Sequence, residues 1–231
     1  MSIVKTDAFV LKSFNYGDTS KIVTLFTKEF GKLNAIVKGA RNYKSKLCGT
    51  LETMNYISCV IYFKENRELQ LISKSEYIKS FQNILADFEK LQTAFKIIEI
   101  LNKSVIEREI NDKIFELLIS SYEKLNLTSA NSLKSLLRFQ IELVKILGLS
   151  PDFSAQNYEL ETFYKFNELN ANKYFYDILI TINMNGLGAT DLNTTDLISL
   201  INCYERYILS HTQGNKFYKS TRVFQELNQS F

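Results

Sequence analysis

Lys38-Gly39-Ala40-Arg41-Asn42-Tyr43-Lys44-Ser45-Lys46-Leu47-Cys48-Gly49 is the stretch around which this 231-residue chain is organised. It carries four cationic side chains, and no acidic residue occurs between Glu29 and Glu52, so sequence neighbours leave its positive charge uncancelled. Gly39 and Gly49 bracket it, which makes it a loop rather than a helix. Such a loop attracts phosphate, and Tyr43 offers a ring on which a nucleobase can stack. The same residues would also suit a solvated loop that only keeps the protein soluble, so the surrounding elements must decide.

Working outward, the segments on both sides read as strands. Residues 3–12 mix β-branched and aromatic residues with polar ones, and Asn15-Tyr16-Gly17-Asp18 makes a turn. Ser20 to Lys28 predicts a second strand, and Phe30-Gly31-Lys32 reverses the chain into a third from Leu33 to Lys38. After the loop, Met54 to Phe63 and Leu69 to Tyr77 are separated by the charged turn Lys64-Glu65-Asn66-Arg67-Glu68. Five short strands within residues 1–80 match a small closed barrel such as an OB-fold; an SH3-like barrel would look similar. A sheet this short needs closure to protect its edges.

From Phe81 the period changes. Leu85, Phe88, Leu91, Phe95, Ile98, Leu101 and Val105 predict one long amphipathic helix with these residues on its core face. Ile114, Leu117, Leu118 and Leu125 predict a second helix. Leu133 to Leu147 predicts a third, closed by Gly148 with Pro151 just beyond. Residues 152–192 lose the helical period; Phe163 to Phe166 and Tyr174 to Tyr176 suit short paired strands, and Asn185 to Gly188 a turn. Helical spacing returns in Leu192 to Leu209 and near Val223 to Leu227. The expected class is α+β: a barrel domain over 1–80, then a helical domain over 81–231 with an irregular insert at about 152–192.

Composition agrees with a folded chain, with 45% hydrophobic and 23% charged residues, eight glycines and one proline. The formal net charge of +3 is unevenly placed. Residues 1–80 hold 13 Lys/Arg and 7 Asp/Glu, a balance of +6, which leaves −3 for residues 81–231. A polyanion-binding surface is therefore expected in the N-terminal part. Cys48, Cys59 and Cys203 are scattered and odd in number, which suits a reducing compartment and small buried apolar groups. Charges at Lys5, Asp7 and Lys12 interrupt the N-terminus, and no apolar run approaches about 18 residues. A soluble cytoplasmic protein without membrane attachment is the simplest reading.

Catalysis finds little support. His211 is the only histidine, no phosphate-cradling glycine-lysine loop exists, and no Cys/His cluster has zinc spacing. Glu107, Glu109 and Asp112 fit a solvated face or helix cap better than a magnesium site. No catalytic residue, metal or cofactor is expected. What remains is recognition: Lys38, Arg41, Lys44 and Lys46 can neutralise phosphates, and Lys21, Lys64 and Arg67 extend that surface if their strand ends lie nearby.

These residues resemble a known family, the bacterial recombination mediator RecO. Thr6-Asp7-Ala8-Phe9-Val10-Leu11-Lys12, Tyr16-Gly17-Asp18 and Leu25-Phe26-Thr27-Lys28-Glu29-Phe30-Gly31-Lys32 resemble its opening strands. Lys38-Gly39-Ala40-Arg41 with Lys44-Ser45-Lys46 and Gly49 resembles its most recognisable signature. Further on, Leu137-Arg138-Phe139, Leu147-Gly148, Pro151-Asp152, Gly214 and Lys219-Ser220 resemble its helical part and ending.

The resemblance implies an OB-fold followed by a helical domain, and a non-enzymatic role in DNA repair and homologous recombination at the nucleoid. It implies binding of single- and double-stranded DNA, annealing of complementary strands, and loading of RecA together with RecR and single-stranded-DNA-binding protein. Family members engage the acidic, phenylalanine-ended tail of that last protein through the helical domain. Arg138, in Leu136-Leu137-Arg138-Phe139, is the residue here placed to hold a terminal carboxylate; the competing reading pairs it with Glu142 one turn on.

Two departures stand out. Many members carry a four-cysteine zinc site after the third helix, whereas residues 152–192 contain no cysteine, so zinc is not expected. Many also read Gln-Pro-Phe where this chain has Glu52-Thr53-Met54, and Glu52 would trim the basic surface. The alternatives are an RNA-binding barrel protein and a non-catalytic protein-interaction adaptor; strand annealing by the purified protein separates the first reading from both.

Overall fold

The structure of the protein, a computed structural model, describes residues 2–42, 45, 47, 49–127, 129–150, 178, 180–182, 186–189 and 191–213. Strands β1 (Ser2–Tyr16), β2 (Ser20–Thr27), β3 (Gly31–Val37), β4 (Tyr56–Phe63) and β5 (Leu69–Lys79) close into a barrel in the order β1-β2-β3-β5-β4. Neighbours are antiparallel except β3 and β5, which run parallel through Asn34↔Leu69 and Ile36↔Leu71. This is the OB-fold architecture, and the barrel has no free edge.

Closure depends on the length of β1. Its first half pairs with β4 and its second half with β2, so Phe9 sits opposite both Tyr56 and Phe26. A register shift between Val10 and Lys12 makes Leu11 a bulge, which bends the strand between its two partners. Ala8, Phe9, Val10 and Leu11 are all buried, which breaks the alternation expected of a strand with one wet face. The reason is that both faces are covered. Ala8 and Val10 join Val23, Leu25, Ala35 and Ile57 inside the barrel, whereas Phe9 and Leu11 belong to the helical core.

The helices are α1 (Gln82–Leu85), α2 (Phe88–Ser104), α3 (Asp112–Leu125), α4 (Ser132–Ile146) and α5 (Thr194–Gln213). Asp87, Asn111 and Asn131 cap α2, α3 and α4 by accepting from the backbone N–H three residues on. Gly148, at φ +70°, ends α4 as expected, with Gly148 N bonded to Lys145 O and Leu149 N to Val144 O. Barrel and helices share an aromatic seam. Phe9 meets Tyr122 edge-on at 4.6 Å, Phe81 meets Tyr122 at 5.2 Å, and the Tyr122 hydroxyl donates to Ala94 O at 2.6 Å.

Two expectations for the first helix need correction. The chain breaks at Ala86–Asp87, because Asp87 caps a new helix instead of continuing the old one. The proposed core stripe also faces the wrong way in part: Leu85, Phe88 and Phe95 are 53%, 68% and 49% exposed. The buried face of α2 is Ala94, Ile97, Ile98, Ile100 and Leu101, joined by Thr93 and Lys96. Lys96 is admitted there because its ammonium lies 2.7 Å from Glu205 on α5, with both side chains almost fully buried.

Most of the irregular insert, including the paired strands expected at 163–166 and 174–176, lies outside the described residues, as do Val223 to Leu227. Within its described part, Ile178 and Ile182 are buried in the helical core, and Leu187–Ala189 form a single 3-10 turn after Gly186.

Candidate nucleic-acid interface

The basic loop leaves β3 after Val37 and is fastened at both ends. Gly39, at φ +70°, turns the chain so that Ala40 enters the barrel core. Arg41 N then donates to Thr19 O at 3.0 Å, and Arg41 Nη1 donates to Gly17 O at 2.8 Å. The loop is thereby tied to the β1–β2 turn. At its far end the Asn55 amide donates to Gly49 O and Thr50 O, and the Thr50 hydroxyl to Leu47 O. Lys38 and Arg41 are exposed. Tyr43, Lys44 and Lys46 lie outside the described residues.

The structure places the other sequence candidates differently. Lys21 sits opposite Val37 and shares the inward parity of Val23 and Leu25, so it plugs the mouth of the barrel. Its ammonium is paired with Glu52, and the Lys21 side chain is only 13% exposed. Glu52 thus neutralises Lys21 itself, which is not part of the outer face. Lys64 and Arg67 do not adjoin the loop either. The parallel pairing of β3 and β5 sets the β4–β5 turn beside the Lys32 end of β3, whereas the basic loop departs from the opposite end. The separation is roughly 20 Å, six residues of strand.

Between these two ends lies a surface that sequence reading missed. The register places Phe14 beside Ile22, Ile22 beside Ile36, and Ile36 beside Leu71, all facing outward because their neighbours Val23, Ala35, Val37 and Ile72 face in. Phe14 and Tyr16 are 52% and 54% exposed. A second row, Lys12, Thr24, Asn34 and Leu69, runs alongside and adds hydrogen-bonding groups. Lys32 lies one row further, opposite Phe26, and its ammonium donates to Asn102 O at 2.8 Å; burial draws its pKa down, with Glu107 opposing and Lys12 adding to that shift. The signal was present in the sequence: Lys12, Phe14 and Tyr16 alternate, so a charged Lys12 marks the two aromatics as exposed.

In OB-folds the outer face of β2 and β3, between the β1–β2 and β4–β5 connections, is where oligonucleotides bind. Here that face presents exposed or half-exposed aromatic and aliphatic side chains. Lys38 and Arg41 stand at one end, and Lys64 and Arg67 at the other.

A second candidate site lies on the helical part. Arg138 is exposed on α4 and lines a groove of about 510 Å³ with Leu117, Ile141, Ile182, Leu187 and Lys145. Glu142 pairs with Lys145 at 2.9 Å rather than with Arg138. The groove thus combines apolar side chains with charged ones, Lys124 and Glu142 included, and its guanidinium has no carboxylate partner among the described residues.

The remaining chemistry is structural. Glu107 accepts from the Asn34 amide, and Asp112 occupies the first turn of α3. Among the described residues no cluster of three His, Cys, Asp or Glu is placed to hold a metal. Burial, with Asp7 and Glu29 nearby, pushes the Cys59 thiol up to about 12, so it stays an inert core group. His211 Nδ1 lies 2.8 Å from Tyr207 O in the last turn of α5. No described helix is long and apolar enough to cross a membrane.

Comparison with known proteins places the chain in a family. Residues 1–81 match the family model described as recombination protein O N terminal, and residues 85–157 match recombination protein O C terminal. The chain belongs to the RecO family. The DNA repair protein RecO of Salinibacter ruber is 37% identical over 150 residues, which is 65% of this chain and 58% of that protein. That of Chloroherpeton thalassium is 36% identical over 151 residues, with the same shares. That of Chlorobaculum parvum is 34% identical over 161 residues, 68% of this chain and 62% of its own length. The matched stretch thus spans less than two thirds of these RecO relatives. Its N-terminal part contains the whole barrel and the basic loop, and its C-terminal part contains α2 to α4 with Arg138.

Proposed function

We propose that this chain is a non-catalytic DNA-binding protein of repair and homologous recombination, with residues 1–80 as its DNA-binding unit and residues 81–231 as its partner-binding unit. The observation that carries the reading is the outward row Phe14, Ile22, Ile36 and Leu71, with the exposed cations Lys38 and Arg41 just beyond it where the chain leaves β3. Single-stranded DNA lies across the row with its bases against the aromatic and aliphatic groups. Its phosphates meet the loop cations Lys38, Arg41, Lys44 and Lys46, with Tyr43 as a further stacking ring. Double-stranded DNA engages only the cations, since its bases are already stacked.

Annealing of complementary strands follows from the same geometry. Cations lower the repulsion between two phosphate backbones, and a face that holds bases by stacking leaves their pairing edges accessible. The family resemblance extends this to loading RecA, together with RecR, onto DNA covered by single-stranded-DNA-binding protein. In that setting the Arg138 groove takes the partner's acidic tail, with the guanidinium on the terminal carboxylate and the phenylalanine on Leu117 and Ile141. The test is annealing of complementary oligonucleotides by the purified protein, with and without single-stranded-DNA-binding protein. Acceleration of both is expected; binding to RNA alone, or no annealing, would refute the reading.

A further inference from the structure

The connection between α2 and α3 lies against the barrel, and Arg108 is its point of attachment. Arg108 N donates to Lys32 O at 2.9 Å. Its side chain donates from Nη1 to Glu65 O and from Nη2 to Arg67 O, both carbonyls of the β4–β5 turn. Arg108 adopts φ +62°, a left-handed conformation that side-chain-bearing residues rarely hold without outside support. Support comes from the bond to Lys32 and from Glu109, whose carbonyl packs so closely on Gly31 that a Cβ there would lie 2.1 Å from it.

The same turn is held from the barrel side by Gln70, which is buried. Gln70 Oε1 accepts from Lys64 N, and its Nε2 donates to Lys64 O and Arg67 O. Arg67 O therefore accepts from Gln70 on one side and Arg108 on the other. A charged surface turn is ordinarily among the most mobile parts of a fold. Here its carbonyls at Lys64, Glu65 and Arg67 are all engaged, while the side chains of Lys64 and Arg67 remain exposed with no carboxylate pair among the described residues.

We infer that Arg108 is a positioning residue for nucleic-acid binding: from the helical part of the chain it fixes the β4–β5 turn, so that Lys64 and Arg67 meet phosphates at the Lys32 end of the barrel face. This rests on the DNA-binding reading above. The guanidinium fork is essential, because it spans two carbonyls that a lysine ammonium would reach one at a time.

The experiment compares Arg108→Gly and Arg108→Lys with the wild type. Glycine accepts the left-handed backbone without strain, so the fork is removed while the connection keeps its path. Amide hydrogen exchange over residues 64–68 and a salt titration of fluorescent oligo(dT) binding are read on the same preparations. Both variants are expected to exchange faster in the turn. Both should also bind about tenfold more weakly near 0.15 M salt, with the salt slope reduced by about 1.4, the value for two phosphates. In a Lys64→Ala, Arg67→Ala background, Arg108→Gly should cause no further loss. A further loss there would make Arg108 a direct phosphate contact and overturn the inference. Wild-type affinity in Arg108→Gly would overturn it alone, whereas a wild type that does not bind oligo(dT) would remove the DNA-binding reading and this inference with it.

Discussion

Arg41 donates from Nη1 to the carbonyl of Gly17 at 2.8 Å, so the connection after β3 is tied to the turn between β1 and β2. One arm of the guanidinium fork is engaged by the protein, and the exposed side chain carries further N–H donors of the kind that bind phosphate. The two connections thereby form one wall at the end of the barrel face, and Tyr16 stands at its foot.

The aromatic row and the cations make separable contributions. Phe14→Ala and Tyr16→Ala should each weaken oligo(dT) binding by about 1–3 kcal/mol, the usual range for a lost base stack, while the salt slope stays the same. Both side chains are half exposed, so melting temperatures should barely move. Unchanged affinity in a Phe14→Ala, Tyr16→Ala double variant would take the face out of the interface.

Lys21 should be silent in binding. Its charge is matched by Glu52, so replacing the pair together, as Lys21→Met with Glu52→Gln, should leave both oligo(dT) affinity and salt slope unchanged. A slope smaller by about 0.7, the share of one phosphate, would show that Lys21 contacts DNA after all.

The barrel and the helical part are locked where Gly31 meets Glu109. A Cβ at Gly31 would lie 2.1 Å from the Glu109 carbonyl oxygen, and φ is +61°. Gly31→Ala should therefore destabilise by roughly 2 kcal/mol or more, lowering the melting temperature by at least about 5 °C. Gly17, at φ +56°, has nothing within 4 Å. Gly17→Ala should show only the left-handed penalty of about 1–2 kcal/mol. Equal effects at the two sites, measured by thermal unfolding, would contradict the close approach.

Arg138 should matter to protein binding and not to DNA. Arg138→Ala should weaken a fluorescent acidic peptide ending in phenylalanine by about 1.5–3 kcal/mol, the range for a charged hydrogen bond, and spare oligo(dT). An equal loss of DNA binding, or no loss of peptide binding, would remove Arg138 from a tail site.

Much of the architecture was legible because local signals agreed. Turn residues at Gly17 and Gly31 bound the strands, and Gly148 with Pro151 marked the exit of α4. The helical stripe failed at Leu85 because that residue ends the separate helix α1, and at Phe88 and Phe95 because α2 is apolar on two sides, and only packing against α4 and α5 selects which side is buried. Lys96 was hidden for the complementary reason, since its partner Glu205 is more than a hundred residues away. In the site, charge alone could not separate Lys21, which points into the barrel, from Lys38, which points out. That distinction requires the register with Val37. Phe14 and Tyr16 were passed over because exposed aromatics look like core residues until a neighbouring lysine on the same face is weighed.

The most direct test of the central claim is the salt dependence of oligo(dT) binding, measured on the wild type and on a variant with Arg41, Lys44 and Lys46 all replaced by alanine. Four loop cations on phosphates, with Lys64 and Arg67 beyond them, give a wild-type slope between about −3 and −4, so raising salt from about 50 to 200 mM costs at least roughly 50-fold in affinity. The variant should fold normally and lose about two units of slope. An unchanged slope and affinity in the variant would contradict the account.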